Sequence, residues 1–301
     1  MNKMVVLGGK FNSVESITQK YEMLNSRLFD IMLLQHNLNK TMTRNDNYDV
    51  ELVTKDGMDI NYGDCILDEL MEVQNCLPWK HWKANTDIDY DNLEMEIVDL
   101  FHFIPSSLIV YEVNGGVVPT TENLMEKLLI DADEGSEADD AVSAYTIIHS
   151  IKNMLLTSGT YLSGIYYGLK QYRESSDDKV MLDDIVGEEL YNTHIFMMLR
   201  LLDLHMLIYG LTAKESIDRI YNLYIVKNTL NGFRMANGYK DGSYVKLWDG
   251  INEDNVFALQ MIKDLNNEIE SDTEVPALDS ITLADVLYSR LELKYKELTG
   301  K

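Results

Sequence analysis

Apolar residues recur three and four positions apart through SVESITQKYEMLNSRLFDIMLLQHNLNKTM, starting at Ser13. This spacing predicts a long helix, with Ser13 as its N-cap and Glu15 and Ser16 in the first turn. The polar stretch 43–63, with Gly57 and Gly63, interrupts the period and reads as a loop or short hairpin. The period resumes in DCILDELMEVQNC (64–76), stops at Pro78, and returns in NLEMEIVDLFHFIPSSLIVYEV (92–113), where Pro105 predicts a kink. Further helices are expected over 141–172 and 188–210, separated by the polar break RESSDDK, then near 256–269 and from Ser280 onward. A linker containing Pro276 precedes the last of them, and no internal repeat is evident. The pattern is that of an all-α helical bundle.

Composition agrees with this reading. Hydrophobic residues make up 46% of the 301, and only four are proline, so a sizeable helical core is affordable and wholesale disorder is excluded. The formal net charge of −24 argues against a general nucleic-acid or anionic-membrane binder, because phosphates would be repelled. A small anionic ligand held by a local basic patch or by metal ions remains compatible. Cys65 and Cys76 are the only cysteines, which suggests no disulfide framework and a reducing compartment. The N-terminal apolar run is short for a signal peptide, and no uncharged apolar stretch of about 18 residues follows, so a soluble cytoplasmic protein is expected. DADEGSEADD (131–140) lacks the spacing of a calcium loop and is expected to be a solvated, mobile loop.

The chemistry lies in two acidic pairs. Glu69 and Glu72, and Glu96 and Asp99, are each three residues apart, so on a helix each pair shares a face. The helix carrying the second pair is apolar nearly all round, which buries Asp99, and a buried carboxylate needs a cation. No lysine or arginine occurs between Lys83 and Lys127, which leaves a distant lysine or a metal ion. Two such pairs on neighbouring helices make an oxygen-rich cluster suited to Mg²⁺. A di-iron site expects Glu-x-x-His twice, and His102 alone does not meet that pattern.

One region reverses the charge of the chain. Between Arg219 and Trp248 stand Arg219, Lys227, Arg234, Lys240 and Lys246, with Asp241 as the only acid. Lys227, Asn231 and Arg234 are spaced to share one helix face, and such donors suit a phosphate chain. Two of the three tryptophans fall in WKHWK (79–83), interleaved with lysines, a composition unusual for a core and suggestive of a ligand element. The sequence contains no P-loop, dinucleotide-binding glycine motif, zinc spacing or nucleophile elbow. His149, His194 and His205 lie in apolar stretches and read as core or boundary histidines.

Together ILDELMEVQNCLPWKHWK, EMEIVDLFHFIPS and VKNTLNGFRMANGYKDGSYVKLWDGINEDN resemble the dimeric all-α dUTPases, in the wider all-α nucleoside triphosphate pyrophosphatase group with the MazG-like enzymes. The resemblance covers about 35–105 and 220–257. It implies one pyrophosphatase domain over 1–301, with a variable acidic insert near 115–140 and a C-terminal helical extension over 270–301. It implies hydrolysis of dUTP, with dUDP also accepted, to dUMP, by a homodimer using two or three Mg²⁺ ions per site, with Mn²⁺ as a substitute. Glu69, Glu72, Glu96 and Asp99 would then hold the metal, and Glu69 or Glu72 would act on the attacking water. Lys227, Asn231, Arg234, Tyr239, Lys240, Lys246 and Asn255 would grip phosphates and sugar. His102 and Phe103 fall at the deoxyribose positions, where an aromatic ring leaves no room for a 2′-hydroxyl. Gln35 and Asn39 in LLQHNLN, with Lys80, His81, Trp82 and Lys83, would frame the base and the approach to the phosphates. His81 replaces a tryptophan found in some relatives, which keeps dCTP open as a second substrate. WDGINEDN is one residue longer than the family pattern, which bears on the placement of Asn255. The alternatives are a dCTP/dUTP or other housecleaning nucleotide pyrophosphatase, and a non-catalytic protein whose acidic surface binds a regulator.

Overall fold

The computed structural model describes residues 14–80, 82–83, 87–134, 144, 146–154, 189–271 and 279–300. In chain order they form α1 (Val14–Thr43), α2 (Tyr48–Glu51), α3 (Tyr62–Asn75), α4 (Tyr90–Val113), α5 (Thr121–Glu134), α6 (Glu189–Tyr209), α7 (Ala213–Ala236), α8 (Asp254–Ser271) and α9 (Ser280–Thr299). A further helical stretch covers 146–154. Among the described residues, extended pairing is limited to two isolated antiparallel bridges, Val53 with Asp59 and Leu247 with Glu253. The all-α class expected from the sequence is the class observed.

Capping sets where the helices begin. The Asn61 side chain accepts from the backbone N–H groups of Gly63 and Asp64, so α3 starts at Tyr62, two residues before the apolar period implied. Asp89 does the same for α4 through Asn92. Thr212 and Glu215 form a reciprocal capping box at the start of α7, and Asp279 caps α9 through Thr282. Each cap supplies about 1 kcal/mol by satisfying amides that have no partner inside the helix. The polar stretch 43–63 contains more than the loop its sequence suggests. The short α2 ends on Leu52 in the left-handed region, and the Val53–Asp59 bridge then closes a turn around Gly57 at φ +80°. The acidic segment also differs from expectation: α5 runs to Glu134 and takes in its first four residues, while 135–140 and most of the helix expected over 141–172 lie outside the described residues.

α4 is the axis of the bundle and packs against α1, α3, α6 and α7. Leu93, Ile97, Val98, Leu100, Phe101, Ile104 and Leu108 are fully enclosed, which explains an apolar sequence on every face. The helix continues through Pro105, which has no N–H for the Phe101 carbonyl. At the next residue the Ser106 hydroxyl donates to His102 O at 2.7 Å. α7 lies against α1, α4, α6, α8 and α9. At its C-terminal end Phe233 sits among Tyr244, Trp248, Tyr288 and Tyr295, with ring centroids 5.4–6.3 Å from its own. Trp248, at the end of the basic stretch, is a core residue. It stacks on Phe257 at 5.5 Å and donates from Nε1 to the Tyr244 hydroxyl at 3.1 Å. Gly238, at φ +89°, makes the turn out of α7, and a Cβ there would collide with Ser243 Oγ. Among the described residues, no single helix is long and apolar enough to cross a membrane.

Candidate active site

α3 and α4 run side by side and bring three carboxylates together. Glu69 from α3 and Glu96 and Asp99 from α4 each offer an oxygen within 4.8 Å of the others. The three are half-buried. Burial, the Asp99 charge and the hydrogen bond to Glu96 push the Glu69 carboxyl up to about 8. Burial and Asp99 also raise Glu96, so without a cation the two glutamates hold a proton between them. Glu72, one turn along α3, is exposed and stands outside this group, although its charge contributes to raising Glu96.

Lys227 of α7 ion-pairs with Asp99 across the bundle. The distant lysine left open by the sequence is thus present, yet one ammonium does not balance three carboxylates. The donor set is all oxygen, close-spaced and proton-retaining, which is the chemistry of a hard divalent-cation site.

From Lys227 a polar row continues along α7. Asn231 and Arg234 follow at one and two turns, which at 1.5 Å per residue carries the row about 10 Å from the carboxylates. Arg234 is braced. Its Nε and Nη2 each donate to Asp254 at 2.7 Å, and Nη1 donates to Asn231 Oδ1 at 3.2 Å. Asp254 opens α8 with no exposed surface and also accepts from the Tyr244 hydroxyl at 2.7 Å. Its neighbour Asn255 has a buried Oδ1 with no hydrogen-bond partner among the described residues. The exposed Tyr239 ring lies 5.9 Å from the Arg234 guanidinium. Lys246 pairs with Glu253 at 3.0 Å, and Lys240 donates to Met42 O at 2.6 Å, tying its loop to the end of α1.

His102 lies one turn beyond Asp99 and is buried. Burial pushes its imidazole down to about 4, so the ring is neutral near pH 7. Nδ1 donates to Val98 O at 2.9 Å, which leaves Nε2 as a bare acceptor, buried and with no hydrogen-bond partner among the described residues. The ring centroid is 4.5 Å from that of Tyr224, and Phe103 packs against the core beside it. Gln35 and Asn39 share the inner face of α1, as their spacing predicts, and are buried and hydrogen-bonded to each other at 2.8 Å. In WKHWK, Trp79 and Trp82 meet edge to face at 5.6 Å, and Lys80 lies 5.3 Å over the Trp79 ring. Trp82 and Lys83 are exposed, and His81 lies outside the described residues.

Three contributors escape the sequence reading. Asp254, Tyr244 and Ser106 hold other site residues in place. Asp254 had one available signal, since a buried guanidinium requires a counter-ion.

A helical bundle whose adjacent helices present clustered carboxylates, flanked by a lysine and a braced arginine, has the groups that metal-assisted hydrolysis of a phosphoanhydride requires. A family model described as dUTPase matches residues 27–179, half of the chain, and the chain belongs to this all-α dUTPase family. Its activity is dUTP hydrolysis, with a nucleotide as substrate and, as is typical of the family, a divalent metal. No curated protein matches the chain.

Proposed function

We propose that the enzyme hydrolyses dUTP, and dUDP, in a Mg²⁺-dependent reaction that yields dUMP, with pyrophosphate as the second product from dUTP. The observation that carries this reading is the convergence of Glu69, Glu96 and Asp99 within 4.8 Å, with Lys227 alongside. These carboxylates would hold the ion, which when bound neutralises phosphate oxygens and makes a coordinated water more acidic. Lys227 turns from Asp99 toward a phosphate oxygen as substrate arrives. Arg234 presents Nη1 to the phosphate chain while Asp254 keeps the guanidinium plane fixed, so little side-chain freedom is lost on binding. Asn255 offers its unpartnered Oδ1 to a sugar hydroxyl or a phosphate-bound water. His102 Nε2, a neutral acceptor, receives a hydrogen bond from the 3′-hydroxyl, and Phe103 closes the space a 2′-hydroxyl needs. Glu72, exposed and one turn from Glu69, accepts the proton of the attacking water. Gln35 and Asn39 read the base. The same reading treats the chain as one catalytic domain working as a homodimer.

A panel of dUTP, dUDP, dCTP, dTTP and UTP, assayed with Mg²⁺ and with chelator, tests it. Turnover of dUTP and dUDP that stops on chelation is expected. Equal turnover of UTP would refute the sugar assignment, and metal-independent turnover would refute the role of the carboxylates.

A further inference from the structure

Hydrogen-bond polarity behind Gln35 and Asn39 has a consequence for base choice. The chain of polarity begins at a carbonyl, which only accepts. Ser106 Oγ lies 2.7 Å from His102 O, which takes its single hydrogen because a carbonyl cannot donate, and the neighbouring Tyr62 hydroxyl, which has a hydrogen of its own, bonds to Oγ as well. Ser106 Oγ therefore faces Asn39 as an acceptor, and the Asn39 atom 2.9 Å away is its NH₂ group. The second hydrogen of that NH₂ goes to the Tyr48 hydroxyl at 3.2 Å. Asn39 Oδ1 then points at Gln35, whose NH₂ donates to it at 2.8 Å. Gln35 Oε1 is left facing the Tyr224 hydroxyl at 3.1 Å, whose one hydrogen is shared with Ile31 O at 2.9 Å while its oxygen accepts from Asn228. A flip of Asn39 would set its oxygen against the committed oxygen of Ser106, and a flip of Gln35 would set two amide oxygens together. The first reversal loses a buried hydrogen bond to Ser106; the second exchanges the bond to Asn39 for one to the Tyr224 oxygen and leaves two buried amide oxygens opposed, so the state of Asn39 set by Ser106 decides that of Gln35.

What the two amides still offer is one N–H of Gln35 beside one lone pair on Asn39 Oδ1. We infer that the Ser106 hydroxyl, through this relay, makes the site select a base with a carbonyl at position 4 and an N–H at position 3 against one with an amino group at 4 and a bare nitrogen at 3. Ser106 is thus a positioning residue that sets uracil over cytosine. The inference rests on the reading that Gln35 and Asn39 meet the base. With sugar and phosphates anchored elsewhere, uracil places O4 against the Gln35 N–H and its N3–H against Asn39 Oδ1. Cytosine in the same pose opposes donor to donor and lone pair to lone pair.

The test compares kcat/KM for dUTP and dCTP, with Kd for dUMP and dCMP measured beside it. The wild type is expected to prefer dUTP by at least about 100-fold, the order set by mismatched buried polar groups. Ser106→Ala, which frees Asn39 to turn, should lower that ratio about tenfold or more. KM for dUTP should rise while kcat is largely kept, because the carboxylate cluster is untouched. Ser106→Thr, which retains the hydroxyl, should restore the ratio, and Ser106→Gly is the second hydroxyl-free variant if the alanine form does not fold. Equal wild-type turnover of dCTP and dUTP would overturn the inference. So would an unchanged ratio in Ser106→Ala while Asn39→Ala abolishes it, and that result leaves the base-reading role standing. A ratio unmoved by Asn39→Ala as well would overturn the base-reading role and the relay together.

Discussion

Glu69→Gln should stabilise the chelator-treated protein at pH 8 and leave it nearly unchanged at pH 5. In the folded protein the Glu69 carboxyl is pushed up from the ordinary 4.5 to about 8 by burial, by Asp99 and by its hydrogen bond to Glu96. A raised folded-state pKa means that the native state binds the proton more tightly than the unfolded chain. The associated stability is fully present below about pH 4.5 and is lost as pH rises toward 8. At 1.36 kcal/mol per unit, the full shift sets a ceiling of about 5 kcal/mol. Partial exposure and the proton shared with Glu96 reduce the expected loss to on the order of 2–3 kcal/mol. The amide cannot ionise, so the variant escapes this loss. Urea denaturation in EDTA at pH 5, 6, 7 and 8, for both proteins, reads the effect as a difference of slopes, from which titrations common to both cancel. Saturating Mg²⁺ should then raise wild-type stability at pH 8 more than that of the variant. Parallel pH profiles for the two proteins would refute the reasoning.

Other outcomes follow from the same geometry. Lys227→Met should raise KM for dUTP and cut kcat/KM by about 100-fold, and a double-mutant cycle with Asp99→Asn should show strong coupling between the two positions. Asp254→Asn, which leaves the Arg234 charge without its counter-ion, should destabilise the protein by about 3 kcal/mol and raise KM more than it lowers kcat; chemical denaturation and steady-state kinetics check the two effects. Phe233→Ala should cost about 3–5 kcal/mol in urea denaturation, because it empties the middle of the aromatic cluster at the end of α7.

The helices were legible because apolar spacing reports which face is buried, and α4 announced its central place by being apolar all round. The Glu96–Asp99 pair was legible for the same reason, since a carboxylate in such a helix demands a cation. Which cations and supports answer it was not legible. Lys227 reaches Asp99 from 128 residues away, and Arg234 finds Asp254 only after the chain turns back at Gly238. These pairings depend on tertiary placement, which no local spacing encodes. Trp248 closes the basic stretch in sequence, but its ring faces Phe233, Phe257 and Tyr295, a placement that only the tertiary fold reveals. Ser106 was silent because its contribution is the direction of one hydroxyl hydrogen.

The central claim is that the Glu69, Glu96 and Asp99 carboxylates hold the ion on which dUTP cleavage depends. The most direct measurement is the rate of pyrophosphate release from dUTP as Mg²⁺ is added back to chelator-stripped protein, for the wild type and for Glu96→Gln. The account predicts saturable recovery from a negligible rate in the wild type and, in the variant, at least a hundredfold lower rate with a weaker Mg²⁺ dependence. Superimposable curves, or full activity in the stripped wild type, would contradict it.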